Sequence, residues 1–283
     1  MDIKRSEITN GEAQSPAHHI FTQTFTSSIN NLRINMSPQL ELYVLPWGIY
    51  PRRVLLYLSE KGLESSPAIK ITPVSNTGTI MEAPGKPPGS VPILRLPDGT
   101  FIKQSVAILE YLEDLCDNPD PAQDWQIQLA KSAINKTSMR GETSKEKART
   151  REILALADEA SSQFGFACHK GTALFVPIEQ TNALTAKLAL EYCKKNLKLL
   201  EENYFAEDAR LGDGSQLTIA HCVLYSMLQF SKELYGIDVL SEPELPALRS
   251  FYEMFKKRDF ARIGEFQYPE EIKKLACQWL PVE

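Results

Sequence analysis

The chain has 283 residues, of which 43% are hydrophobic and 24% are charged, and its formal net charge at pH 7 is −5. This composition is typical of a soluble globular protein, and the acidic balance argues against nucleic acid or an anionic membrane as a partner. The five cysteines are widely spaced and fit neither a metal site nor a disulfide framework. We therefore expect free thiols in the reducing cytoplasm and no bound metal.

The first 37 residues differ from the rest of the chain. They are rich in Ser, Thr, Asn and Gln and show neither a helical nor a strand period, which predicts a disordered N-terminal extension over residues 1–37. The Ser and Thr content leaves a transit peptide open, although Asp2, Glu7 and Glu12 argue against one because such peptides contain few acidic residues.

Residues 38–118 alternate between short apolar runs and amphipathic stretches. The pattern predicts strands at 40–45, 68–72, 91–96 and 101–102, and helices at 52–61 and 106–116. The order β-α-β followed by β-β-α is that of a thioredoxin-like domain. The sequence therefore predicts an α/β domain over 38–118.

The second half of the chain carries only helical patterns. Residues 119–142 form a predicted linker and polar insertion, and a capping box from Thr143 to Glu146 marks a helix start. Further helices are predicted at 183–203, at 217–230, which is apolar on all sides, and from Pro246 to residue 257. The predicted fold class is thus α/β plus all-α, with a helical bundle domain over 143–283.

Three ordered segments are similar to those of the cytosolic glutathione transferase superfamily. They are Gly89-Ser-Val-Pro92 leading into a strand and a Pro-Asp-Gly turn, Gln104-Ser105 leading into Ala107–Leu112, and Leu217-Thr-Ile-Ala220 at the start of the buried helix. The run from Pro46 to Val54 resembles the fungal theta-like branch of that superfamily. The resemblance implies glutathione as a co-substrate.

Four residues of these segments are implied as glutathione ligands. Val91, followed by a cis Pro92, would face the cysteinyl unit, whereas without the resemblance Pro92 would be assigned as a trans edge-strand proline. Ser105, at a helix N-terminus, would bind the γ-glutamyl carboxylate, or it is a simple N-cap. Gln104 stands where family members usually have Glu or Asp, so it offers the ammonium group an acceptor without a charge.

Two basic residues and three candidate activators complete the predicted site. Lys86 and Arg52 are assigned near the ligand, with a solvated surface charge as the alternative for each. The position of the usual thiol-activating Ser, Cys or Tyr falls on Gly48, which leaves three possible donors: the Gly48 N–H, the Tyr50 hydroxyl and a water oriented by His169. Tyr50 is otherwise a packing residue, and His169 is otherwise satisfied locally at a helix end.

Three functions are consistent with this reading. The first is a homodimeric glutathione S-transferase that conjugates glutathione to a small apolar electrophile, in detoxification or secondary metabolism. The second is a glutathione-dependent biosynthetic step, either thiol addition or isomerisation, favoured by the unusual activator position and the polar insertion. The third is a non-catalytic binding module, favoured by Gly48 and Gln104.

Overall fold

The computed structural model describes residues 39–76, 80–258, 261 and 268–282. The extension predicted to be disordered lies outside these residues. The strands are β1 (Leu40–Val44), β2 (Ile69–Pro73), β3 (Ser75–Asn76), β4 (Met81–Glu82), β5 (Ile93–Arg95) and β6 (Phe101–Ile102). Four of them form a mixed sheet in the order β2-β1-β5-β6, with β1 parallel to β2 and antiparallel to β5.

The loop predicted between the second and third strands contains a small second sheet. Here β3 and β4 pair antiparallel in register Ser75 with Glu82 and Asn76 with Met81. Because each strand has only two residues, the surrounding proline and glycine signals dominated the pattern and predicted a loop throughout.

The first helix, α1, begins three residues before its predicted start. It runs from Ile49 to Lys61, with Gly48 as N-cap and Gly62 as C-cap at a φ of 72°. Pro51 lies inside this helix because the first turn of a helix has N–H groups without intrahelical acceptors and therefore tolerates proline.

The remaining helices cover most of the chain after β6. They are α2 (Ser105–Asp117), α3 (Asp124–Ser132), α4 (Ser144–Gly171), α5 (Ala183–Leu200), a π-helical turn (Glu201–Phe205), α6 (Ala209–Asp213), α7 (Ile219–Glu233), α8 (Pro246–Phe255) and α9 (Glu270–Ala276). The capping box at Thr143 and Glu146 is formed at the start of α4, as predicted.

The helical half of the chain is organised around α7, which is buried along almost its whole length, as predicted. α4 lies against both α5 and α7, and α7 also packs on α1, so the helical part rests directly on the sheet-containing part. The predicted fold class, a thioredoxin-like α/β part followed by a helical part, is confirmed. The boundaries proposed at residues 118 and 143 remain predictions. No helix within the described residues is long and apolar enough to cross a membrane.

Candidate functional site

The N-terminus of α2 carries two of the predicted ligand residues. Gln104 is the N-cap, with an extended backbone and an exposed side chain that makes no capping hydrogen bond. Ser105 follows as the first helical residue and is largely buried. The first N–H groups of a helix lack intrahelical acceptors, and the helix dipole favours an anion at this end. This end of α2 therefore has the chemistry of a carboxylate-binding position.

A fully buried arginine on α1 supports the Ser105 hydroxyl. Arg53 donates from Nη1 to Ser105 Oγ at 3.1 Å and to Asp158 Oδ1 on α4 at 2.6 Å. Its guanidinium carbon lies 4.7 Å from the centre of the Tyr50 ring. Because Ser105 Oγ accepts from Arg53, its own hydroxyl hydrogen is left to donate, and a positive charge stands directly behind it.

The segment before β5 contains two of the predicted ligand residues, Lys86 and Val91. The Val91–Pro92 peptide bond is cis, as the resemblance implies, and no hydrogen bond joins the Val91 backbone to another described residue. Lys86 donates from Nζ to Pro87 O at 3.0 Å and to Gly89 O at 2.6 Å, which holds the ammonium group beside this segment. Partial burial and the neighbouring Lys103 lower the pKa of Lys86.

The start of α1 corrects one candidate for the thiol activator. The Gly48 N–H donates to Leu45 O at 2.8 Å, so it is already committed to the turn and cannot also serve a ligand sulfur. The next two amides, those of Ile49 and Tyr50, make no hydrogen bond to any described residue. The free donors at this helix end are therefore one and two residues beyond the predicted position, as the geometry of a helix N-terminus requires.

Arg52 does not join the other predicted ligands. Its Nε donates to Gln229 Oε1 on α7 at 3.0 Å, and its Nη2 donates to Ala261 O at 2.9 Å. The side chain is buried, so it is neither the expected ligand nor the alternative surface charge; it connects α1 to the helical part. Its neighbour Arg53 takes the place beside Ser105, because adjacent residues on a helix point in different directions.

His169 belongs to α4, and the Tyr50 hydroxyl lies against the same helix about one turn earlier, near Gly165. The Tyr50 hydroxyl is the nearest group to the position that a Cβ on Gly165 would occupy, at 3.8 Å. His169 lies four residues further along the same face of α4, but its Nδ1 pairs with Glu179 at 2.5 Å and its ring stacks on Phe175. The structure thus ties His169 to the segment after α4 rather than to Tyr50.

Aromatic side chains from both halves of the chain meet beside the start of α1. Trp47 is half-buried and meets Tyr268 edge to face with ring centres 6.3 Å apart, and Tyr268 in turn meets Phe230 at 6.4 Å. Burial raises the pKa of Tyr268, which keeps its hydroxyl protonated at neutral pH. These rings provide an apolar wall contributed by both halves of the chain.

Sequence reasoning missed Arg53 and Asp158. The available signal was weak: Arg53 precedes the buried Tyr57 by four residues and so shares its helical face, but a charged side chain is ordinarily assigned to solvent. Asp158 carried no signal, since an acidic residue on a long amphipathic helix usually belongs to the solvated face.

The chain is similar to known glutathione transferases in both sequence and fold. Residues 47–115 match the family model for the glutathione S-transferase N-terminal domain. Glutathione S-transferase 2 of Saccharomyces cerevisiae is 30% identical over 115 residues, which are 38% of this chain and 46% of the yeast protein. The match to this curated relative thus spans less than half of its length.

Solved structures share the fold across most of the chain. A glutathione transferase family member from Pseudomonas fluorescens Pf-5, crystallised with bound glutathione, is 19% identical with a TM-score of 0.58, covering 79% of this chain and 97% of that one. Gtt2 from Saccharomyces cerevisiae is 23% identical with a TM-score of 0.55, covering 79% and 99%. Residues 47–115 thus match the N-terminal domain of the glutathione S-transferases, and about four fifths of the chain shares the fold of these solved structures.

Proposed function

We propose that this chain binds glutathione and transfers its thiol to a small apolar electrophile. The observation that carries the proposal is the start of α2, where Ser105 Oγ accepts from buried Arg53 at 3.1 Å beside the free end of a helix of 13 residues. This arrangement suits the γ-glutamyl carboxylate of glutathione. It lies within the segment that matches the glutathione S-transferase N-terminal domain.

The rest of the tripeptide then follows the segment before β5. The cysteinyl unit pairs with the open backbone N–H and C=O of Val91 next to Pro92, and the glycyl carboxylate lies toward Lys86 and Lys103. Two ammonium groups near one another favour an anion between them, since their mutual repulsion is relieved by a bound carboxylate. Gln104 offers a neutral acceptor beside the γ-glutamyl group.

The thiolate is placed at the N-terminus of α1. A free thiol has a pKa near about 8.5, and helix N-termini lower such values because the helix dipole and free amides favour the anion. The Ile49 and Tyr50 amides are the donors this chain offers there, with the Tyr50 hydroxyl as a further one. His169 would act only through a water molecule, because its ring is held by Glu179.

The reaction balances as a substitution. Glutathione gives up its thiol proton to solvent, the sulfur lone pair forms a carbon–sulfur bond with the electrophile, and the leaving group departs with the bonding pair. The wall formed by Trp47, Tyr268 and Phe230 would hold the apolar part of the electrophile. Such a reaction serves detoxification or secondary metabolism, and the five free cysteines are consistent with a cytoplasmic location.

The test combines binding and turnover. Calorimetric titration with glutathione and conjugation of chlorodinitrobenzene are expected to weaken by about tenfold or more in Ser105→Ala, because one charge-assisted hydrogen bond is lost. Ser65→Ala, at an exposed serine remote in sequence, serves as the matched control and is expected to behave like the unchanged chain. Binding and conjugation that survive Ser105→Ala undiminished would contradict the proposal.

Gly48 favours a second candidate, a non-catalytic glutathione-binding module. Gly48 has no side-chain donor, and its N–H is already used by Leu45. This candidate predicts calorimetric binding of glutathione without turnover of any member of an electrophile panel. The alternative biosynthetic step, thiol addition or isomerisation, which the unusual activator position and the polar insertion favour, stays a prediction.

We also propose a homodimer. Leu184, Leu188 and Tyr192 recur every four residues along α5 and are each about half exposed, which makes an apolar stripe suited to a second copy of the chain. Light scattering on the eluted protein is expected to give twice the mass of the chain, and Leu188→Lys is expected to lower it toward the monomer. A monomeric unchanged chain would contradict this proposal.

A further inference from the structure

A groove adjoins the proposed glutathione site at Lys86. It has a volume of about 890 Å³ and is lined by residues of the small β3–β4 sheet and by residues 86–90, which lead to Val91; we call it the β3–β4 groove. Ligand pockets in proteins typically measure about 300–1,000 Å³, so the glycyl end of glutathione would fill only a small part of this one. The groove therefore has room for a ligand longer than glutathione.

Contacts within the fold fix the β4 side of this groove. Met81 and Ala83 pack against a small apolar cluster that includes the fully buried Tyr43. Ser75 Oγ donates to the backbone carbonyl of Glu82 at 3.1 Å, which adds to the pairing of β3 with β4. Successive side chains of a strand point to opposite faces, so the Glu82 side chain is turned away from the cluster and is exposed.

Open backbone groups continue from the proposed cysteinyl position into the groove. The N–H groups of Gly89 and Ser90 make no hydrogen bond to another described residue. A Cβ placed on Gly89 would meet no atom within 4 Å, so the groove is open beside this residue. Backbone donors require a partner, and here an extended ligand that passes Val91 can supply one.

The contacts of Lys86 do not require the ligand to end at its glycine. The ammonium group donates to Pro87 O at 3.0 Å and to Gly89 O at 2.6 Å, which uses two of its three N–H donors. The third donor can bind a glycyl oxygen, and the carbonyl oxygen of an amide accepts such a hydrogen bond as a carboxylate oxygen does. A glycine joined to a further residue therefore keeps this contact.

The acidic side chain of the groove is Glu82. Ser75 binds its backbone carbonyl, and its exposed carboxylate forms no ion pair with another described residue. Burial and Lys103 lower the pKa of Lys86 and the Glu82 charge opposes this shift, which agrees with the position of Glu82 in the same groove. An unpaired carboxylate attracts a positive charge, so it favours a cationic group on the ligand.

We propose that the β3–β4 groove binds the C-terminal extension of a γ-glutamyl-cysteinyl-glycyl peptide, in which an amide joins the glycine to a cationic residue. The extension accepts hydrogen bonds from the Gly89 and Ser90 amides, and its positive charge lies beside Glu82. The inference rests on the proposed glutathione binding and extends the substrate class from glutathione to longer, cationic thiol peptides.

The experiment compares glutathione with two extended peptides of opposite charge. The intact chain is titrated calorimetrically with glutathione, with γ-glutamyl-cysteinyl-glycyl-lysinamide and with the corresponding peptide that ends in a glutamic acid α-amide. The lysyl peptide is expected to bind at least as tightly as glutathione. It is also expected to bind about fivefold or more tighter than the glutamyl peptide, because repulsion replaces attraction at Glu82.

Substitution of Glu82 tests the charge recognition directly. Glu82→Gln is expected to reduce the preference for the lysyl peptide to about twofold or less, and Glu82→Lys is expected to reverse it. Glu271→Gln, at an exposed residue of α9, is the matched control and is expected to keep the full preference. A reversal separates recognition of charge from a loss of stability, since unfolding would weaken both peptides alike.

The outcomes distinguish this inference from the function beneath it. A chain that binds none of the three ligands contradicts glutathione binding and the role of the groove together. A chain that binds glutathione but binds both extended peptides more than about tenfold weaker overturns the role of the groove alone. Extended peptides that bind without a charge preference, or with one that survives Glu82→Gln, show an extension that points into solvent, and they also overturn the proposal.

Discussion

Replacing Glu113 with glutamine tests how the polar insertion is attached to the fold. Glu113 on α2 is fully buried and accepts hydrogen bonds from Lys61 Nζ at 2.7 Å, the Tyr57 hydroxyl at 2.9 Å and the Met139 N–H at 2.9 Å. Lys61 Nζ also donates to Thr137 O at 3.0 Å. One carboxylate thus connects α1, α2 and the insertion.

The expected loss of stability follows from the buried ion pair. Removing one partner of such a pair costs about 3–5 kcal/mol, since the remaining charge is left unneutralised in the interior. The amide oxygen of glutamine still accepts from one of the neutral donors, which retains about 1 kcal/mol. We therefore expect Glu113→Gln to lower the free energy of unfolding by about 3 kcal/mol. Glu110→Gln on the same helix is the control; its partner Arg140 keeps Asp114 and Asp117, so its cost should stay below about 1 kcal/mol.

Urea unfolding followed by circular dichroism measures the difference, with equal slopes in all variants as the condition for comparing midpoints. Adding Lys61→Met to Glu113→Gln removes the stranded ammonium and is expected to recover at least about 1 kcal/mol. The reasoning is refuted if Glu113→Gln unfolds within about 0.5 kcal/mol of the unchanged chain, or if the two substitutions simply add.

Three further predictions concern the helical part. Burial lowers the pKa of His221 to about 4, so its contribution to stability is complete above pH 6.5 and is lost as the pH falls toward 4. In His221→Asn the thermal unfolding midpoint is therefore expected to change less with pH between 6.5 and 4 than in the unchanged chain. The same pH dependence of the midpoint in both proteins would contradict this. Gly171→Ala places a Cβ 2.5 Å from the Cβ of an α5 alanine and 3.0 Å from Trp279, so it should cost about 1–3 kcal/mol in urea unfolding, whereas Gly165→Ala, with no neighbour nearer than 3.8 Å, should not destabilise. Thr143→Ala removes the capping box of α4 and is expected to lower the unfolding free energy by about 1 kcal/mol; an unchanged urea midpoint would show that the cap contributes nothing.

Local signals in the sequence were sufficient for the element order. Apolar runs, glycine stops and the Thr143 capping box predicted the long helices and the strands of the main sheet because each depends on residues close together in the chain. The buried character of α7 was equally visible, since it is apolar on every side. The motif at Gln104 and Ser105 correctly located the start of α2.

The polar contacts depended on tertiary structure. The sequence predicted only a polar insertion at residues 119–142. In the structure the Met139 N–H of this insertion donates to Glu113, a contact that no local sequence pattern could show. The same holds for the donors at α1: the resemblance indicates Gly48, but only the fold shows that the Gly48 N–H is bonded to Leu45 O.

The sequence by itself determined that the first helix carries two consecutive arginines and that a second helix starts at Ser105. Only the tertiary structure decided that Arg53 faces Ser105 and Asp158 while Arg52 faces Gln229. The physical reason is that successive helical residues point about 100° apart. Which of the two directions leads to Ser105 is fixed by how α1 packs against α2 and α7.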